Sequence, residues 1–89
     1  MKVRRLILEP AGDEWRLREV GRGEAKVFSS GAAAERAARR LGERLAEEGD
    51  FAHLKVLLRD GAVGGRYFYA PKGDDPSRGA SQGLLAAAA

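Results

Sequence analysis

Between Ser30 and Glu48 the chain changes period, and this one change limits the fold more than any other feature. Ala34, Ala37, Ala38, Leu41 and Leu45 recur at helical spacing and line a single face. Arg36, Arg39, Arg40, Glu43, Arg44, Glu47 and Glu48 fall on the other side. Ser29 or Ser30 can cap the start by accepting a backbone N–H that has no partner inside the helix. Gly49 is placed to end it in the left-handed conformation that a Cβ disfavours. The other patterned segments read as strands, and one helix of about five turns can cover only one face of a sheet built from them.

The strands are short and closely connected. VRRLILE, Val3 to Glu9, is stopped by Pro10 and the turn PAGDE. EWRLREV sets Trp15 and Leu17 against Arg16 and Arg18, the alternation of a half-buried strand. GRGE turns the chain into AKVFS, so the first three strands form an antiparallel meander. After the helix, HLKVLLR places Leu54, Val56 and Leu58 on one side, and Asp60-Gly61 marks a hairpin. RYFYA is the last strand, with Tyr67 and Tyr69 on one face and Phe68 on the other, and Pro71 ends it. The expected order is β-β-β-α-β-β. This is a single α+β domain over residues 1–71, a largely antiparallel sheet with one helix on one face. Residues 72–89 have the composition of a flexible tail, and the final LLAAAA is too short to hold a helix alone.

Eighty-nine residues suffice for one domain, and 44% hydrophobic with 33% charged residues is a globular composition. The chain has no cysteine, which excludes a disulfide framework and thiolate metal sites. No segment approaches the ~20 apolar residues of a membrane span. MKVRRLILEP lacks the apolar run of a signal peptide. A cytoplasmic protein with no membrane partner is expected.

GDEWRL, VFSS, the helix with Ala34, Ala37 and Ala38, and LKVLLRDGAV follow one another in an order that resembles a small bacterial family. This is domain-of-unknown-function family 2188, whose members read G-x-W-x-V, a short strand ending in Ser or Thr, an Ala-rich helix, and a hydrophobic strand leading into Asp-Gly. The resemblance runs from Glu9 to Val63. The chain departs from it at Leu57 and Leu58, where the family has a polar residue or glycine. The resemblance implies a compact α+β domain and brings no activity with it.

The residues do not suggest an enzyme. His53 is the one histidine, and Asp50 is its nearest carboxylate in sequence; a histidine at a strand start reads as a polar surface residue. No serine lies in a G-x-S-x-G context, and GRG and GAVGG lack phosphate-loop spacing. Asp74 and Asp75, in the tail, read as solvating charges. Catalytic residues, metal ligands, cofactors and a small-molecule substrate are therefore not expected. On the helix, Arg36, Arg40 and Arg44 form a line, but opposite charges such as Arg39–Glu43 and Arg44–Glu48 favour a solvated face laced with ion pairs.

Two partner readings follow for the sheet. Trp15 belongs to the core, and strand one is apolar on consecutive residues Leu6, Ile7 and Leu8. Phe28 and Leu57 stand on the opposite parity to their apolar neighbours. A second apolar face on a two-layer fold must meet something, which suggests a non-enzymatic interaction module that self-associates as a homodimer. Its interface would be Leu6, Leu8, Phe28, Leu57 and Phe68. The alternative uses the net charge of +3, whose excess lies in residues 1–30 and 51–71 rather than in the helix. Arg16 and Arg18 share one strand face, and Arg4, Lys26 and Arg66 join them if the register allows. An arginine-bearing sheet face is a known way to hold nucleic acid, and the alternative expectation is a nucleic-acid-binding accessory domain that uses it. RYFYA does not match the aromatic pattern of the RNA-recognition motif.

Overall fold

The computed structural model describes residues 2–72, as five strands and one helix. β1 spans Val3–Ala11, β2 Glu14–Glu19, β3 Ala25–Phe28, α1 Gly31–Glu47, β4 Phe51–Leu57 and β5 Val63–Tyr69. The expected tail lies outside the described residues except for Lys72. The Lys72 backbone N–H donates to the Ala46 carbonyl at 2.9 Å, tying the chain beyond β5 to the end of α1.

The sheet order is β3-β2-β1-β4-β5. β1–β2, β2–β3 and β4–β5 are antiparallel, while β1 and β4 are parallel. The fold is thus α+β with a mixed sheet. The parallel pair arises because α1 carries the chain from the β3 edge back to the centre, and a parallel pairing needs such a crossover. Pro10 does not stop β1, which continues through it to Ala11. Gly12 and Asp13 then form the two-residue turn into β2, with φ +64° at Gly12 and no positive φ at Asp13. That combination is a type II′ turn, whose twist suits a hairpin.

α1 begins at the cap Ser30, whose Oγ accepts the Ala33 N–H at 3.2 Å. It ends at Gly49, φ +94°, where the Gly49 N–H donates to Ala46 and the Asp50 N–H to Leu45. Those two bonds satisfy carbonyls that the helix itself leaves open. Ala34, Ala38 and Gly42 form a buried stripe of small residues, so the helix lies close against the sheet. Leu6, Leu8, Leu17, Ala52 and Leu54 meet it from the strands. Leu6, Leu8 and Leu54 are fully buried, each contributing about 1.5–3 kcal/mol. Trp15, Phe28, Tyr67 and Tyr69 pack around this core on the same side. The other sheet face carries no second layer among the described residues.

Candidate binding surface on the open sheet face

Register decides which charges share a face. Leu8 pairs with Leu17, and Leu6 with Leu54, on the helix side. Alternation therefore sends Arg5, Ile7 and Glu9 of β1 to the open side, with Arg16 and Arg18 of β2. Phe51, His53, Lys55 and Leu57 of β4 and Arg66 and Phe68 of β5 complete that side. One row across the sheet runs Arg18–Ile7–Lys55–Arg66, and the adjoining row places Arg5 beside His53 and His53 beside Phe68.

Arg16, Arg18 and Arg66, of the residues expected to contact nucleic acid, lie on this face. Arg4 and Lys26 do not, and the reason is parity. Arg4 pairs with Ala52 on the helix side, where its Nη2 donates to Glu19 Oε1 at 2.9 Å and its Nη1 to Asp50 Oδ2 at 3.0 Å. Lys26 pairs with Leu17 and lines a helix-side cleft with Arg40 and Arg44. The expected interface divides in the same way. Leu6 and Leu8 are only 1% exposed and belong to the core, and Phe28 pairs with Trp15 on the helix side. Leu57 and Phe68 are on the open face. Ile7, not its leucine neighbours, is the apolar residue that β1 presents there.

The charges on the open face are unevenly compensated. Arg16 and Arg18 share a single carboxylate, Glu9, at 3.0 and 2.8 Å. Hydrogen bonding from Arg18 outweighs the opposing effect of burial and, with Arg16, holds Glu9 below the usual carboxylate range. Arg5, Lys55 and Arg66 have no carboxylate within ion-pair distance among the described residues. Lys55 and Arg66 stand directly opposite each other, an arrangement that costs stability in a sheet.

His53 lies among these three cations. Its ring stacks on Phe68 with centroids 4.4 Å apart and planes 14° from parallel. Phe51 meets the same Phe68 ring at 6.2 Å, tilted by 52°. His53 Nε2 is shielded from solvent and has no hydrogen-bond partner among the described residues. Burial first, and then Arg66, Lys55 and Arg5, push the imidazole pKa below its ordinary value. The ring is accordingly neutral at pH 7 and acts as an aromatic surface. Sequence reasoning missed Arg5, His53 and Lys55; their parity opposite Leu6, Leu54 and Val56 was the available signal.

On the helix side the expected Arg39–Glu43 and Arg44–Glu48 pairs do not form. Arg39 pairs with Glu35 at 2.7 Å, donates to the Tyr67 hydroxyl at 3.2 Å and lies over the Tyr67 ring. Arg39 thus turns to the preceding helical turn and to β5 rather than to Glu43. Among the described residues no three His, Asp or Glu side chains gather to hold a metal, and no helix is long and apolar enough to cross a membrane. In comparison with known proteins, no family model, curated protein or solved structure matches the chain.

Proposed function

We propose that this chain is a non-enzymatic binding module whose open sheet face engages nucleic acid. The observation that carries the reading is the pairing of Lys55 with Arg66 beside Arg5, three cations on one face without a carboxylate partner among the described residues. Folding alone gains nothing from placing like charges opposite each other, whereas a phosphate chain lying between them removes the repulsion. Nucleic-acid binding suits the cytoplasmic location expected from the cysteine-free sequence. Kinship with domain-of-unknown-function family 2188 belongs to the same proposal; it rests on motif order and supplies a fold, not an activity.

Fluorescence anisotropy with labelled oligonucleotides between about 50 and 200 mM salt tests the reading. Three phosphate contacts give a slope of log affinity against log salt of about −2 for a single strand. Lys55→Gln should weaken binding and make that slope shallower by about 0.7. Binding absent at low salt, or indifferent to salt, would count against it.

Self-association through the same face is the second reading, favoured by an apolar corner. Val3 pairs with Phe51, Phe51 touches Phe68, and Val3 and Phe68 are 55% and 39% exposed. A two-fold contact sets the same cations against themselves. Salt therefore strengthens such a dimer, opposite to its effect on nucleic acid, and light scattering over the same salt range separates the two.

A further inference from the structure

Resting on the nucleic-acid reading above, we propose that the partner is single-stranded, with one base stacked on Phe68 and its flanking phosphates held by Lys55 and Arg66. Phe68 lies nearly parallel to His53 on the neighbouring strand, so one of its ring faces is covered. β5 is the edge of the sheet, and among the described residues no further strand pairs with it beyond Phe68. Phe68 keeps 39% of its surface exposed, although an aromatic ring gains by burial. A base placed there continues the stack His53–Phe68 by one more ring. Phe51, its centroid 6.2 Å away and its ring tilted by 52°, also packs against Phe68.

The charges sit one same-face step along the strands from the stacked rings. Arg66 is two residues before Phe68 on β5, and Lys55 two residues after His53 on β4. A two-residue step along a strand is about 6.6 Å and returns to the same face. The cation pair therefore adjoins the aromatic pair, one for phosphate and one for base. Bases within a duplex have both faces occupied by their neighbours, whereas unpaired bases can splay out onto an aromatic ring. DNA and RNA share this chemistry.

The experiment uses the full chain and four labelled probes of equal length: single-stranded DNA, single-stranded RNA, duplex DNA, and an abasic DNA strand with the same phosphates. Tighter binding of either intact single strand than of the duplex and the abasic strand, by about tenfold, supports the proposal. Phe68→Leu should lower single-strand affinity by about the same factor and leave abasic affinity unchanged. Lys55→Gln should weaken both alike. Equal affinity for intact and abasic strands, or a preference for duplex, overturns the stacking proposal while the nucleic-acid reading stands. Failure to bind any probe at low salt overturns both.

Discussion

Around His53 the sheet assembles Arg5 from β1, Lys55 from its own strand and Arg66 from β5, with Phe68 covering the ring. Burial lowers the imidazole pKa most, and the three cations lower it further. Removing one of them isolates the electrostatic part. Lys55→Gln and Arg66→Gln should each move the His53 titration upward, toward the ordinary value near 6.5, as followed by NMR of the ring protons. An unmoved titration would mean that burial acts alone. The linkage sign is definite: the folded chain binds this proton less readily than the unfolded chain. His53 therefore contributes stability above about pH 6.5, and that contribution is lost as pH falls through the folded value. The position of His53 at the start of β4 was legible in the sequence, but its company was not. Arg5 comes from β1, far back in the chain, and Arg66 and Phe68 come from β5, whose register with β4 is shifted between Val56 and Leu57.

The helix is the element whose local chemistry explains it best. Ser30 and Gly49 bound it through backbone groups within a turn of themselves, so neighbouring residues sufficed to place both ends. Its closest contact is another matter. A Cβ on Gly42 would lie 2.6 Å from the Tyr69 ring, which comes from β5 at the far end of the fold. Gly42→Ala should therefore destabilise the protein by up to about 2 kcal/mol, overpacking outweighing a helix-propensity gain of about 1 kcal/mol. In a Tyr69→Ala background the same change should become stabilising. Urea melts of the four variants measure the coupling, and additive effects would show that Gly42 is not held by Tyr69. β5 has its own irregularity: Val56 pairs with Gly65 and Leu57 with Val63, leaving Gly64 as the extra residue of a bulge. Asp60-Gly61 marked the hairpin but carried no sign of that bulge.

Across the whole molecule, Arg4 joins the ends of three segments: its own β1, Glu19 at the end of β2 and Asp50 just before β4. Hydrogen bonding from Arg4, opposed by burial, holds Glu19 below the usual carboxylate range. At Asp50 burial acts in the opposite direction but is outweighed by the Lys2 N–H and Arg4. With Glu9, three carboxylates bind protons less readily folded than unfolded. They add stability above about pH 4.3, and it is lost as pH falls through their folded values. Denaturant melts between about pH 5 and pH 3 should show that fall, and Glu19→Gln should flatten it; an unchanged slope would remove Glu19 from the account. The period change at Ser30, the alternating strands and the turn glycines determined by themselves a β-β-β-α-β-β domain with one helix on one face. These are local properties of backbone and side-chain spacing. Only the tertiary structure decided that β4 enters beside β1 in parallel, because register and strand order depend on partners far along the chain. Those registers together buried Leu6 and Leu8, sent Arg4 and Lys26 to the helix side, and brought Arg5, His53, Lys55, Arg66 and Phe68 together on the face left open.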